Sequence, residues 1–512
     1  MGINKFTLTY LIFLVAYALC GCHGVGSVQE DDDLLIIGTD TIDSLRLAIT
    51  IDSLIALDHD TLTADKELRS YYGEHPTLLW LSREGVTPQA DSLMAYLGRV
   101  KENGLKASLF ATKEIAADRR RIDSLDFTEC DVYTAIARVD ILLTKAFMRY
   151  AGGMRYGFCN PNRVLNRLDL DKHDTTQTIY RRLYDIPTEV IGKDGYRHLA
   201  SLAGTDSVSI ILQEAEPKSP LYRKLKEMLR TASGEKRRQI LVNMERCRWT
   251  HPSYPHEKEK YVVVNIPSYE LLAVDGDSTL EMRIVCGSRD TKTPLVHSNI
   301  MRMDINPRWV MPPSVVKHEV SHHAGDSAYF ARHRYHITDR TTGEEQNPRH
   351  VSAEMLRSGN YRVAQEGGEG NALGRIIFRF DNGFSIFLHD TSSKGTFDRM
   401  DRSASHGCIR VQKPYDLACF LLAEKDTTLM GKIQYSMTVS KPKEDTPTTG
   451  KDDNNGYDPK RIVHSVKVNP EVPLFITYYT LYLMPDGDVH SYPDVYNYDP
   501  AIMRRLKPFV EE

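Results

Sequence analysis

The pattern of apolar residues changes near residue 260, and this change constrains the fold more than any other feature of the chain. Before it, apolar residues recur at helical spacing, as in residues 87–105 and 131–153, which predicts helices. After it, short runs rich in β-branched residues alternate with polar turns, as in 260–277 and 280–288, which predicts strands. With 512 residues, the chain exceeds one ordinary core. We therefore expect an α+β protein in which a helical domain precedes a β-rich domain.

The helical domain is expected to span residues 51–250. Pro88 begins its first clear helix and Gly104 ends it, because proline suits a first turn and glycine a stop. A further helical stretch, 219–249, closes this part of the chain.

The β-rich domain is expected to span residues 258–440. Within it, Asp381-Asn382-Gly383 separates the apolar runs 374–380 and 384–390. Asn-Gly between two such runs predicts a β-hairpin.

The segments after this hairpin continue the α+β pattern. Residues 408–411 predict a short strand, and a proline-led apolar segment predicts a helix over 413–425. The polar, Pro- and Gly-rich residues 441–460 predict a flexible loop. Residues 461–512 are expected to extend the β-rich domain by a hairpin within 473–492.

The N-terminus has the features of an export signal. Lys5 precedes the apolar run 8–19, which is shorter than a membrane span and has the proportions of a signal peptide. The residues LCGC that follow resemble a bacterial lipobox ending at Cys22. We expect a lipoprotein signal peptide over 1–21, lipidation of Cys22 and a tether over 22–50. An ordinary signal peptide cleaved nearby, or a short uncleaved anchor, remains an alternative. Each of these alternatives predicts that the protein is exported.

Charge and cysteine usage narrow the class of protein. The net charge is −4 and no long basic stretch is present, which argues against nucleic acid as a partner. The eight cysteines include no CxxC pair and no zinc-ribbon spacing. Their irregular spacing does not resemble a disulfide framework, and Cys419 lies in an apolar segment typical of a core.

The segment RSASHGCIRV (402–411) places Cys408 directly after Gly407. Glycine allows unusual backbone angles, and we expect the N–H groups of Gly407 and Cys408 to face a developing oxyanion. Nearby cations lower the pKa of a thiol. The candidates for this effect are Arg399, Arg402, His406 and Arg410.

A nucleophilic thiol needs a base, and His389 stands at the end of the second strand of the predicted hairpin. From the residues alone, Cys408 is either such a nucleophile, a buried structural thiol, half of a disulfide or a metal ligand.

The stretch 387–411 resembles the active-site segment of the L,D-transpeptidases, the cysteine enzymes that cross-link peptidoglycan. Their pattern is a His, a loop, then Ser/Thr-His-Gly-Cys, an apolar residue and Arg or Asn. Here His389 is followed by Ser405-His406-Gly407-Cys408-Ile409-Arg410. Further segments are similar to the large members of this family from diderm bacteria: 75–97, 131–153, 242–271, 293–316, 371–380 and 472–496.

The resemblance implies a role for each residue of the motif. Cys408 would be the nucleophile and His389 the base, with His406 and Gly407 lining the pocket. Arg410 would orient a substrate carboxylate or position the loop, or would form a structural ion pair, and Ser405 would cap the turn.

The resemblance also implies a substrate and a setting. The thiol would attack the L-to-D bond of a peptidoglycan stem tetrapeptide, and the amine of a second stem would take the acyl group. Water as acceptor would give an L,D-carboxypeptidase, and a protein acceptor would give attachment to the wall. No cofactor and no metal are implied. The expected location is periplasmic, with a membrane anchor through the lipid, and no oligomeric state is indicated.

One departure from the family pattern concerns a domain. The large members carry a peptidoglycan-binding module, whereas residues 219–240 here run directly into NMERCRW, with Cys247 where an aromatic residue is common. The resemblance also places a lid-like insertion near 312–360.

A competing motif lies in that insertion. His318, Glu319 and His322 form HExxH, the pattern of a zinc metalloprotease. Pro312-Pro313 leaves little room for a preceding helix, and the position of a third ligand holds Ala328. A polar surface helix is the alternative. A third class, a wall-binding protein without activity, would not require Cys408 and His389.

Overall fold

The fold divides at the place where the sequence pattern changes. The structure is a computed structural model that describes residues 36–37, 40–170, 179–422, 426–439 and 457–512. The expected α+β architecture is confirmed, with helices before residue 249 and mainly strands after 260. The expected signal peptide, Cys22 and residues 441–456 of the expected loop lie outside the described residues.

The helical part is built around one long helix, Val132–Tyr156, which Asp131 caps at its N-terminus. Fifteen more α-helices are found in the described residues, and they pack on it, on each other or on the strands, or lie in the insertion and the C-terminal region. Their bounds are Ser44–Ala56, Thr63–Glu74, Pro88–Leu97, Thr112–Ser124, Pro161–Leu165, Lys193–Leu202, Ser207–Ala215, Pro220–Leu229, Gly234–Arg248, Pro313–His318, Ser327–His333, Ala353–Arg357 and Pro414–Leu421. Thr427–Thr438 and Asp499–Leu506 are the last two helices. Among the described ranges, none of the helices has both the length and the apolar character that crossing a membrane needs.

The expected tether over 22–50 is wrong from residue 44 onward. The helix Ser44–Ala56 begins there, capped by Asp43, and buries Leu47 and Ile51 in the helical core. Leu47 and Ile51 are four residues apart, so one face of this helix is apolar and needs a partner.

The stretch 219–249 forms two helices rather than one. Gly234, with φ +56°, begins the second helix after a short turn. Glycine takes this backbone conformation without the strain that a side chain adds.

The strands are numbered in chain order. They are β1 (Ile36–Ile37), β2 (Asp40–Thr41), β3 (Leu81–Ser82), β4 (Gly85–Val86), β5 (Tyr184–Asp185), β6 (Lys260–Asn265), β7 (Glu270–Asp275), β8 (Ser278–Gly287), β9 (Leu295–Ile305), β10 (Trp309–Val310), β11 (Tyr335–Asp339), β12 (Glu345–Gln346), β13 (Tyr361–Gln365), β14 (Ile376–Phe380), β15 (Leu388–His389), β16 (Ser403–Ser405), β17 (Ile409–Val411), β18 (Ser465–Thr477), β19 (Leu481–Leu483) and β20 (Val489–Ser491).

Strands of the β-rich part close into a barrel. The order around it is β14, β15, β17, β8, β7, β6, β18 and β9, and β9 pairs back to β14. Alternate side chains fill its interior, among them Val262, Val264, Leu271, Ile284, Phe378, Leu388 and Ile409. Their neighbours along each strand therefore lie on the outer surface.

The expected hairpin around Asn382 is confirmed, with a longer loop than a two-residue turn. β14 pairs with β15, with Phe378 opposite Leu388. The side chain of Asn382 closes the loop, because its oxygen accepts from the N–H groups of Phe384 and Ile386.

The expectation that 461–512 is a hairpin extension is wrong for its first half. β18 lies inside the barrel wall, parallel to β6 and antiparallel to β9. The hairpin is shorter than 473–492 and consists of β19 and β20. Buried apolar residues along β18, such as Leu474 and Ile476, require a place in the wall.

The insertion after β9 has a sheet and a core of its own. The sheet has the order β10, β13, β11, β12, and its core includes Val316, Phe330 and Val363. The surface helix expected at HExxH is not formed as one unit. One helix ends at His318, and a separate 3-10 helix covers Val320–His323.

Candidate active site

His389 and Arg410 are side by side on the outer surface of the barrel. β15 and β17 are parallel neighbours, with Leu388 opposite Ile409 and His389 opposite Arg410. Since Leu388 and Ile409 point into the barrel core, the residues that follow them point outward.

Cys408 belongs to the same outer surface. The N–H of Ile409 donates to the carbonyl of Phe387, which sets Cys408 across from Phe387, two positions before His389. Diagonal neighbours on one sheet face are within side-chain reach. Arg410 acts electrostatically on both Cys408 and His389, so the three side chains form one cluster.

The sulfur of Cys408 is a free thiol. The other cysteines of the described residues are free as well, namely Cys130, Cys159, Cys247, Cys286 and Cys419. The disulfide reading of Cys408 is therefore wrong.

The ring of His389 has a defined tautomer. Its Nδ1 lies 2.5 Å from the carbonyl oxygen of Asp390. Because a carbonyl only accepts, Nδ1 carries the proton and Nε2 keeps a lone pair. Burial lowers the pKa of His389 to about 4, and the charge of Arg410 adds to this effect. The imidazole is therefore neutral at pH 7 and able to take a proton.

Gly374 supports the strand end that carries His389. The carboxylate of Asp390 accepts a hydrogen bond from the N–H of Arg375 at 2.8 Å. A Cβ at Gly374, whose φ is +64°, would lie 2.4–2.5 Å from the side chain of Asp390. This close approach requires glycine, and neither Gly374 nor Asp390 was singled out from the sequence.

The expectation that nearby cations lower the pKa of Cys408 holds only for Arg410, and the net shift is upward. Burial raises the pKa of this thiol to about 11, opposed by a hydrogen bond at the backbone of Phe387 and by Arg410. Arg402 points away, because its guanidinium donates to the carbonyls of Ile284 and Tyr269. Arg399 is exposed and does not contribute. The resting site therefore holds a neutral thiol.

Ser405 shapes the loop rather than the pocket. Its buried hydroxyl donates to the carbonyl of Cys408 at 2.5 Å and accepts from the N–H of Gly407 at 3.1 Å. Gly407 has φ +118°, a conformation that favours glycine. The expectation that Gly407 offers its N–H to an oxyanion is thus wrong. The Cys408 N–H has no hydrogen-bond partner among the described residues and stays available.

Thr291 and Thr293 hold this loop from below. Thr293 is fully buried, and its hydroxyl donates to the carbonyl of Gly407 and accepts from the N–H of Gly287, both at 2.8 Å. The hydroxyl of Thr291 donates to the carbonyl of Ser405 at 2.7 Å. The Tyr496 hydroxyl in turn accepts from the N–H of Thr293. These residues were not predicted from the sequence, because they are distant from the loop along the chain and approach it only in the folded barrel.

Arg410 is an unpaired cation. It is half-buried, and its Nε is buried without a hydrogen-bond partner. No ion pair joins it to another described residue, so the structural ion pair considered for it is not formed there. A buried guanidinium without a partner is costly, and a carboxylate ligand would satisfy it.

His406 faces the insertion instead of the thiol. Its Nε2 lies 2.8 Å from Oε1 of Glu319, and both side chains are more than half exposed. This contact links the loop that carries Cys408 to the insertion.

The HExxH motif does not form a zinc site of the usual geometry. His318 ends one helix, and His322 belongs to a separate 3-10 helix, whereas the motif needs both on one helical face. Glu319 is engaged with His406. Across the part of the chain that the structure describes, no group of three or more His, Cys, Asp or Glu side chains is placed to hold a metal ion.

Comparisons with known proteins identify two domains in this chain. Residues 259–448 match the model of the L,D-transpeptidase catalytic domain, and residues 66–229 match that of a scaffold domain. A curated protein of Haemophilus influenzae, provisionally named an L,D-transpeptidase, is 32% identical over 244 residues. That match covers 47% of this chain, and the chain spans 45% of the relative's length. The chain therefore carries a catalytic domain of the L,D-transpeptidase family together with a scaffold domain.

Proposed function

We propose that the protein is a murein L,D-transpeptidase that forms peptidoglycan cross-links through a thioester on Cys408. The observation that carries the proposal is the cluster on one outer face of the barrel: a free thiol at Cys408, a neutral imidazole at His389 and an unpaired cation at Arg410. The catalytic-domain family supports the substrate class, a stem tetrapeptide.

The first half-reaction acylates the enzyme. The sulfur of Cys408 attacks the carbonyl carbon of the L-to-D bond while Nε2 of His389 takes the thiol proton. The N–H of Cys408 donates to the oxyanion that forms. When the tetrahedral intermediate collapses, the C–N bond breaks and His389 returns the proton to the departing amine of the terminal D-amino acid. Arg410 binds a carboxylate of the donor and holds it in place.

The second half-reaction transfers the acyl group. The side-chain amine of the diamino acid in a second stem attacks the thioester, the C–S bond breaks, and the thiol is restored. His389 again carries the proton between the amine and the sulfur. Water at this stage gives carboxypeptidase products, and an amine of a protein gives attachment, so the acceptor decides the product.

Replacement of the nucleophile tests the mechanism. Cys408→Ala should abolish the acyl adduct and reduce cross-linking at least about a thousandfold, because no other group at the site forms a thioester. The measurements are intact mass and product analysis after incubation with tetrapeptide muropeptides. Cys419→Ala, at a free and half-buried cysteine elsewhere, should behave like the wild type.

Cross-linking that persists in Cys408→Ala would contradict the thioester mechanism. A parallel incubation with EDTA separates the metalloprotease alternative, which predicts proteolysis that the chelator stops.

We further propose that the protein is exported to the periplasm and anchored by a lipid on Cys22, a residue outside the described ones. The lipobox-like LCGC and the apolar run 8–19 support this. Cys22→Ala should move the protein from the membrane fraction to the soluble envelope fraction, with loss of the lipid mass. Cys20→Ala is the matched control and should stay in the membrane. A lipid mass that persists in Cys22→Ala, or that is lacking in the wild type, would refute lipid attachment at this residue.

A further inference from the structure

The residue that follows His389 in the chain, Asp390, is held in place through both its side chain and its backbone. It is 4% exposed, and its Oδ2 accepts from the N–H of Arg375 at 2.8 Å. Its Oδ1 forms an ion pair with the ammonium of Lys394, four residues further along the chain. The backbone N–H of Asp390 donates to the carbonyl of Ile376 at 2.9 Å. Asp390 is therefore tied to the start of β14 and to the loop that follows it.

The peptide group between Asp390 and Thr391 is fixed at both of its ends. On one side, the carboxylate of Asp390 fills space that a Cβ at Gly374 would occupy, since that Cβ would lie 2.4–2.5 Å from it. On the other side, Thr391 is 2% exposed, and its hydroxyl accepts from the N–H of Ser393 at 3.1 Å. The direction of the Asp390 carbonyl is thus set by buried contacts.

That carbonyl determines the state of the imidazole. It accepts from Nδ1 of His389 at 2.5 Å. A neutral imidazole has two tautomers, and only the one with its proton on Nδ1 leaves Nε2 free to take another proton. A carbonyl that turned away would release this preference, and His389 would lose its orientation toward Cys408.

We propose that Asp390, held by Lys394, is a positioning residue that keeps His389 in the tautomer required to deprotonate Cys408. This inference rests on the part of the proposed function that assigns His389 as the base. The side chain of Lys394 is about half exposed, and an ion pair in that position contributes little to folding. A purely structural carboxylate would affect the stability of the strand end without changing the reactivity of the thiol.

Alkylation by iodoacetamide tests the proposal without any peptide substrate. The thiolate is the form that reacts, so the rate at Cys408 at pH 7 depends on proton transfer to His389. In Asp390→Ala, the second-order rate constant at Cys408 should fall about tenfold or more, because assistance by the base is lost in the wrong tautomer. The rate constant at Cys419, a free thiol elsewhere, should not change. Mass analysis of the digested protein measures both sites in one sample.

Lys394 provides the second arm, because a half-exposed side chain can be replaced without disturbing the fold. Lys394→Met should slow alkylation of Cys408 about threefold, the size typical of an exposed ion pair. Lys394→Arg keeps the cation and should restore the wild-type rate. Asp123→Ala is the matched control, because it removes a carboxylate that is paired with Arg119 in the helical part, and it should react like the wild type.

Wild-type rate constants at Cys408 in both Asp390→Ala and Lys394→Met would show that the proposal is wrong. If circular dichroism shows that Asp390→Ala does not fold, Lys394→Met decides alone. A wild type whose variants show the expected alkylation rates but that forms no acyl adduct with any muropeptide would refute the proposed function and leave this inference intact.

Discussion

The Cys408 thiol and the His389 imidazole are both neutral at rest, because burial raises the pKa of the first to about 11 and lowers that of the second to about 4. In the proposed mechanism, proton transfer then accompanies the attack on the substrate. A neutral thiol is a weak nucleophile, so its orientation toward the base and the carbonyl carries much of the rate. The hydrogen bonds that fix the loop are therefore part of the catalytic design.

Substitution of Thr293 tests whether the position of this loop determines the rate. Thr293→Val keeps the shape of the side chain but leaves the carbonyl of Gly407 and the N–H of Gly287 without their partner. We expect the acylation rate constant of Cys408 to fall about tenfold or more with little change in the KM for the donor, since a misplaced group costs rate rather than binding.

Thr293→Ser retains the hydroxyl and should recover most of the rate, which a purely steric role would not predict. The acylation rate is measured by the intact mass of samples quenched at successive times. An unchanged rate in Thr293→Val would show that the hydrogen bond from Thr293 to Gly407 does not position the loop.

Between elements, two half-buried histidines lie where the end of the helical part meets the barrel. His251 follows the helix Gly234–Arg248, and His297 lies on β9; their ring centroids are 5.3 Å apart, and His297 also meets Phe475. Burial lowers the pKa of His251 from 6.5 to about 4 and that of His297 from 6.5 to about 3. The folded protein thus prefers both rings neutral.

This junction predicts acid sensitivity. Below pH 6.5 the unfolded chain binds protons at these histidines and the folded chain does not. The free energy of unfolding therefore decreases as the pH is lowered, until the folded pKa values near 4 and 3 are reached. Each histidine contributes a slope of about 1.4 kcal/mol per pH unit. His297→Phe should halve the slope of the pair and move acid unfolding, followed by circular dichroism, to lower pH.

His198→Phe, at an exposed histidine, is the control for this measurement and should leave the acid transition in place. An acid transition in His297→Phe that coincides with that of the wild type would mean that the junction does not govern acid unfolding.

For the whole molecule, the sequence predicted features that depend on neighbouring residues and missed those that depend on contacts between distant parts of the chain. The change from helices to strands and the hairpin at Asn382 follow from short patterns. The link between His389 and Cys408 came from the resemblance of residues 387–411, and the parallel pairing of their strands was not predicted. The pKa effect of Arg402 was predicted wrongly, because closeness along the chain does not say on which side of a strand a group lies.

The missed features depend on distant parts of the chain. Thr293 reaches the loop that carries Cys408, and Tyr496 reaches Thr293, only after the barrel has formed. Glu319 reaches His406 only across the insertion. The place of β18 in the wall was missed for the same reason, since a hydrophobic strand signal does not name its neighbours.

The position of β18 sets an order of events during synthesis. Its neighbours β6 and β9 leave the ribosome long before it and have edges that stay unpaired until residues 465–477 are made. A chain that stops between β17 and β18 would contain Cys408 and His389 but expose two strand edges, which recruit other chains. Termination of the chain after β17 but before β18 is thus predicted to give aggregated or proteolysed protein rather than a folded protein with reduced activity.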